Sequence, residues 1–303
     1  MKAYKLKRRH SLRSELQGLI AAFMSPSIIM IAFTFLIPMG YCIYLSFHKY
    51  NVLVASKPFI GLQNYLHIFS SDSTFWNSLW VTLYFTFVAV GIEIILALLI
   101  ALLLNQPFRG RVILRTALIL PWAIPWVVNG IMWKWIYNPS FGVLNGLLKQ
   151  LGLIDSYKVW LGTPFLALNM MVLSDVWKET PFIAILLLAG LQTIPKNLYE
   201  SAEIDGASLW KRFWNITLPL IRPTFFLAFV LRTIWAFKTF DLVYALTQGG
   251  PVDGTSLLNY YIYETSFSRL NFGYGAAVSI ILMIIVLGLT LIYYKIIFRE
   301  VEY

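Results

Sequence analysis

Six stretches of this chain, at about residues 19–46, 78–104, 113–136, 165–191, 218–240 and 274–298, read as apolar runs long enough to cross a bilayer. A helix needs roughly 20 apolar residues to span the hydrocarbon core. A soluble fold of 303 residues has no interior large enough to hide six such segments. Composition agrees: 59% of the residues are hydrophobic and 13% charged, against about 45–50% apolar and 25% charged in soluble domains. The expected fold is therefore an all-α integral membrane protein with six transmembrane helices. The first stretch follows a basic segment, as a signal peptide would. It is too long for that role, contains Pro26 and Pro38, and lacks a small-residue cleavage site, so it reads as a retained anchor.

Basic residues set the orientation. Of the 24 Lys and Arg, fifteen fall in segments 1–18, 105–116, 195–222 and 295–303, and six in the alternate loops 47–77, 134–164 and 241–273. The positive-inside rule places the first set, and with it both termini, in the cytoplasm. Trp76, Trp80, Trp133, Trp135, Tyr137 and Trp160 gather near the opposite ends, where interfacial aromatics belong. The division expected is a basic cytoplasmic N-terminal segment over 1–18 and a six-span domain over 19–303. The net charge of +10 does not indicate nucleic acid. Lys2, Lys5, Lys7, Arg8, Arg9 and Arg13 stand directly ahead of an apolar run, which suits anionic lipid headgroups.

Several chemistries have no residues to carry them. The sequence contains no GxxxxGK[ST] phosphate loop, and His10, His48 and His67 stand apart without metal-ligand spacing. The one cysteine, Cys42, excludes an internal disulfide. No catalytic residue, metal site or cofactor is expected in this chain. If the chain moves solute against a gradient, the energy must come from an ion gradient or from another subunit.

The cytoplasmic stretch from Ile194 to Pro223 is too polar for the bilayer and too patterned for a slack linker. Asn197 and Glu200 form a capping-box signature that opens a helix from about Leu198. Gly206 is placed to end that helix in the left-handed conformation, and a second short helix is expected over 208–215. Pro219 and Pro223 fall in the opening turns of the fifth span, where their missing N–H groups cost least. The spacing Glu200-Ser201-Ala202, three residues, Gly206, nine residues, Ile216-x-Leu218-Pro219 resembles the EAA loop of permease subunits of binding-protein-dependent ABC importers. Serine stands where that signature has its first alanine. Stretches 115–145, 235–251 and 260–267 resemble the carbohydrate-uptake subgroup, whose type is the maltose-transporter membrane subunit.

The resemblance implies the type I ABC importer permease fold in a bacterial or archaeal cytoplasmic membrane. It implies a second homologous permease, two cytoplasmic ATPase subunits that bind ATP and Mg, and an extracytoplasmic solute-binding protein. The loop at about 195–219 would dock the ATPase. Glu200 and Asp205 would supply charge and caps there, while Ala202 and Gly206 would permit close approach. The substrate would be a sugar or small oligosaccharide. Glycerol phosphate or a sugar acid carried by the same machine is the first alternative, and an ion-coupled carrier the second.

Polar residues within spans mark the solute path, because charge in a bilayer faces a cavity or a partner. Trp177, Lys178, Glu179 and Phe182 in span four are candidates, with Arg232, Trp235, Ala236 and Thr239 along one face of span five. The resemblance places the same residues on sugar-contacting positions of the maltose transporter. There only Trp177 and the aromatic character at Phe182 and Trp235 match, and the charged residues depart from the pattern. Glu179 and Arg232 either meet the solute or pair with each other. Lys238 and Asp241 are expected to neutralise each other, and Glu93 to contact a neighbouring helix or subunit.

Overall fold

Small residues at every fourth position bring the two longest helices together. The computed structural model describes residues 19–54 and 56–297, so the basic segment 1–18 and Arg299 lie outside the described residues. The elements used below are α1 (Leu19–Ser46), α2 (Gln63–Ser70), α3 (Ser73–Asn105), α4 (Arg111–Ala123), α5 (Trp126–Ile136), α6 (Val143–Gln150), α7 (Pro164–Gln192), α8 (Lys196–Ile204), α9 (Leu209–Leu220), α10 (Arg222–Phe237), α11 (Asp241–Leu246), α12 (Leu258–Tyr263) and α13 (Phe272–Ile297). On α3, Phe85, Ala89, Glu93, Ala97 and Ala101 form one stripe with no exposed surface. Residues four apart share a helix face. The three alanines let α7 approach closely, and Ala167, Met171, Asp175, Ile183 and Leu187 of α7 are buried in return.

Among the described residues, helices α1, α3 and α13 are each long and apolar enough to cross a membrane, and the number rises to five if each bent pair counts as one span. The pairs are α4 with α5, bent by 92°, and α9 with α10, bent by 66°. The remaining expected span, α7, has the length at 29 residues but carries Asp175, Lys178 and Glu179 at its middle. Along its most apolar window α1 buries no residue. Its far end packs on α13, with Cys42 Sγ 4.0 Å from the carbonyl of Ala276.

Two boundaries differ from the sequence reading for local reasons. Helix α3 begins at Ser73 rather than near residue 78 because Asp72 caps it, accepting the Phe75 N–H at 2.9 Å. The helix expected as the fifth span starts at Arg222, with Pro223 in its first turn, while Pro219 lies near the end of the preceding helix. The aromatic belt is also only partly lipid-facing. Trp76, Trp80 and Trp135 are exposed, but Tyr137 is buried with its hydroxyl donating to the Met170 carbonyl at 3.0 Å. Trp160 donates to Asn145 at 2.9 Å.

Asp72 also joins elements, accepting hydroxyl bonds from Tyr261 at 2.6 Å and from Tyr274 on α13. Burial pushes its carboxyl pKa up, but the bonds from Tyr261, Tyr274 and the Phe75 and Thr74 backbone outweigh this and hold it below the ordinary value. A depressed carboxyl pKa contributes stability above the unfolded value, lost as pH falls through the folded one. Asp72→Asn should therefore lower thermal stability at neutral pH. The gap to the parent should close below about pH 4, read as unfolding temperature against pH. A gap independent of pH would exclude this charge effect.

Candidate functional site

Helix breaks build the site. Pro125 has no N–H to offer the Pro121 carbonyl, and the chain turns through 92° between Ala123 and Trp126. The turn frees the Trp122 carbonyl from its helical partner, and Lys178 Nζ of α7 takes it at 2.8 Å. The same ammonium lies 4.7 Å from the centre of the Trp126 ring and 3.8 Å from Glu179 Oε1. Opposite, α10 ends at Phe237 and the chain kinks through Thr239 and Phe240 into α11. Between these breaks lies a cavity of about 390 Å³, lined by Trp122, Ile124, Pro125, Trp126, Lys178, Glu179, Trp235 and residues 238–242. Ligand sites typically measure about 300–1,000 Å³.

Four of the expected path residues, Lys178, Glu179, Trp235 and Thr239, meet on this cavity wall. Phe182 stands behind the wall, its ring 5.0 Å from Trp122 and 5.2 Å from Trp235. Trp177 is turned elsewhere, edge-on to Trp133 at 5.7 Å. Ala236 is fully buried and off the wall. Lys238 and Asp241 both line the mouth without forming an ion pair, contrary to expectation.

Arg232 is the largest departure. It pairs not with Glu179 but with Glu93 of α3 and Asp175 of α7. Its Nε and Nη2 grip the two oxygens of Glu93, the Nη2 contact measuring 2.9 Å, and Nη2 also reaches Asp175 Oδ2. All three side chains have no exposed surface and none lines the cavity. The contact expected of Glu93 with a neighbouring helix is present. Glu179 faces Lys178 instead, and its buried Oε2 has no hydrogen-bond partner among the described residues.

Sequence reasoning missed the aromatic half of the wall, Trp122 and Trp126. The Pro121 and Pro125 spacing was the available signal, since prolines four apart inside an apolar run mark a broken helix whose freed carbonyls face inward. The triad also left a trace, because Glu93 is the fourth-residue neighbour of both Ala89 and Ala97.

The 194–223 segment forms a separate unit. Helix α8 runs from Lys196, capped by Pro195 with no side-chain bond, so the Asn197–Glu200 capping box does not form. Proline fixes the entry geometry two residues earlier than expected. Gly206 has φ +73°, the Ala207 N–H reaches the Ala202 carbonyl at 2.8 Å, and the Gly206 N–H reaches Glu203 at 3.0 Å. This is the Schellman arrangement expected of a glycine-ended helix. The second helix does not stop at 215. Capped by Ser208, it continues through a widened turn over Phe213–Thr217 to Leu220. Tyr199 and Thr217 hydroxyls at 2.9 Å and the Arg212–Glu203 pair at 3.2 Å tie the helices together. Glu200, Ser201, Asp205 and Gly206 are exposed, while Ala202 is half-buried. Ile216, Leu218 and Pro219 are half-buried too, with Ile216 packed against the core.

The bundle thus joins long apolar helices, sealed charges inside it and a polar aromatic cavity at its helix breaks. The chain belongs to the binding-protein-dependent transport system inner membrane components, whose family model matches residues 93–302. It is 43% identical over 274 residues to the trehalose/maltose transport system permease protein MalF of Thermococcus litoralis, covering 89% of this chain and 90% of that one. It is 36% identical over 281 residues to the sulfoquinovosyl glycerol transport system permease protein SmoG of Agrobacterium fabrum, covering 92% and 90%. A solved bacterial ABC transporter involved in import of the acidic polysaccharide alginate has a chain of the same fold. There the TM-score is 0.82 at 25% identity, over 97% of this chain and 100% of that one. The protein is thus a membrane-spanning permease subunit of an ABC transporter.

Proposed function

We propose that the chain forms half of the translocation path of an ATP-driven importer for a sugar or small oligosaccharide. The observation that carries this is the cavity wall. Trp122, Trp126 and Trp235 offer faces for the apolar side of a sugar ring, and Glu179 and Thr239 offer polar atoms for its hydroxyl rim. The likeness to a trehalose/maltose permease supports the same substrate class. In this reading all six expected segments cross the membrane, α7 among them, because its three mid-helix charges face the cavity or the interior rather than lipid. Both termini are cytoplasmic. The unit over 195–219 docks an ATPase subunit that binds ATP and Mg, through the exposed turn carrying Glu200, Ser201, Ala202, Asp205 and Gly206. Ile204 at 87% exposure is the apolar side chain most available to such a partner. Ile216, Leu218 and Pro219 anchor the unit to the bundle rather than touch the ATPase. A second homologous permease, a second ATPase subunit and an extracytoplasmic solute-binding protein complete the machine.

Trp235→Ala removes a wall of the path and should reduce sugar uptake about tenfold or more, while solute capture by the binding protein stays intact. Trp177→Ala, off the wall, should affect complex stability more than uptake. Uptake by the assembled importer in vesicles, normalised to assembled complex, separates the two. Parental uptake in Trp235→Ala would remove the cavity from the path.

A further inference from the structure

Resting on the reading of the cavity as a sugar path, we infer that Tyr244, Tyr263 and Phe267 carry that path outward from Phe240. They form a track of aromatic rings along which a sugar or small oligosaccharide enters from the extracytoplasmic side. Their spacing is helical. Phe240 and Tyr244 stand four apart across the start of α11, where the Tyr244 N–H reaches the Phe240 carbonyl at 2.9 Å. Tyr260 and Tyr263 stand three apart on α12, and Phe267 follows four further on, in a widened turn over Glu264–Ser268. Residues three and four apart share a helix face, so each short element presents a row of rings. The two rows meet at Phe240, which lines the cavity. Its ring centre lies 5.6 Å from that of Tyr244 and 4.9 Å from that of Tyr263, and Tyr263 lies 5.5 Å from Phe267.

Packing alone does not account for these rings. Side chains that served only to hold α11 and α12 together would be covered, yet Tyr244 is 45% exposed and Phe267 60%. Tyr263 is partly exposed between them. The Tyr244 and Tyr263 hydroxyls make no hydrogen bond among the described residues. Lipid tails do not fit the strip either. Exposed Lys238 and Asp241 share the cavity lining with Phe240 at one end, and Glu264 and Arg269 pair at 3.2 Å beside the other. Charges so placed would be expensive in hydrocarbon. Rings that border water and carry free hydroxyls suit a solute that is apolar on its faces and polar at its rim. A sugar ring is such a solute. Steps of 4.9–5.6 Å between ring centres let it meet the next face before it has left the last.

The test places Tyr244→Ala, Phe267→Ala and Phe267→Trp in the complete importer, reconstituted in liposomes with its binding protein and ATP. Uptake of trehalose and of maltotetraose is measured per assembled complex, beside the ATP hydrolysis that the loaded binding protein evokes. Each alanine variant should take up trehalose about threefold or more slowly than the parent. The loss should be larger for maltotetraose, whose rings rest on several faces at once. Evoked hydrolysis should stay parental, because docking of the binding protein does not use the track. Phe267→Trp keeps a ring face and should transport as the parent does. Parental uptake of both sugars in both alanine variants overturns the track and leaves the sugar reading standing. Loss of uptake in step with loss of evoked hydrolysis also overturns it, and makes the strip a docking surface for the binding protein. Phe267→Trp as slow as Phe267→Ala, with equal losses for the two sugars, overturns it in favour of packing. No uptake of either sugar by the parental importer overturns the sugar reading and the track with it.

Discussion

Arg232→Gln will leave little assembled complex in the membrane. The substitution strips the counter-charge from Glu93 and Asp175, both without exposed surface. Removing one partner of a buried ionic group costs about 3–5 kcal/mol, because the charges left behind are neither solvated nor paired. That is a large part of the roughly 5–15 kcal/mol that holds a typical domain folded. Pairing geometry also dictates which second change repairs the damage. Adding Glu179→Gln should recover nothing, because Glu179 is joined to Lys178 and not to Arg232. The triple variant Glu93→Gln, Asp175→Asn, Arg232→Gln should recover much of the yield. Since none of the three lines the cavity, the recovered triple should also transport. Yield of monodisperse complex and its thermal midpoint are the readouts. Arg232→Gln at parental yield would contradict the triad's structural role.

Gly206→Val should uncouple the permease from its ATPase while leaving the bundle intact. At φ +73° a β-branched side chain is strained by about 1–2 kcal/mol. An added Cβ meets nothing within 4 Å, so the cost is conformational and not steric. The turn should open, displacing Glu200, Ser201 and Asp205 from their positions beside it. Gly206→Asn, which tolerates the left-handed region, should lie between parent and valine. Recovery of ATPase with the affinity-purified permease measures the graded loss. Equal recovery across the three proteins would detach this turn from docking.

What the sequence carried plainly was periodic and local. The apolar runs predicted α1, α3 and α13, and Gly206 predicted a left-handed turn, because each depends on neighbours along the chain. Pairing between spans did not read out the same way. Arg232 and Glu179 are charges of opposite sign in expected spans, and nothing in one dimension favours Glu179 over Glu93 and Asp175 as partner. The choice is made by the close approach of α3 and α7 that Ala89, Ala97 and Ala101 permit. Likewise, the face shared by 232, 235, 236 and 239 assumes a helix that continues past 237. The helix stops there, which carries Thr239 onto the cavity wall and leaves Arg232 in the core. The capping box failed for a related reason, since Pro195 had already fixed the helix start before Asn197 could cap it.

On the proposed function, this chain passes solute only as part of an ATP-driven assembly. The most direct test is uptake of radiolabelled trehalose and maltose into liposomes holding either the permease chain alone or the full complex with ATPase subunits and binding protein. Uptake is expected only with the full complex, and only when ATP is supplied on the ATPase side. Uptake by the isolated chain under a proton or sodium gradient, unaffected by ATP, would contradict it.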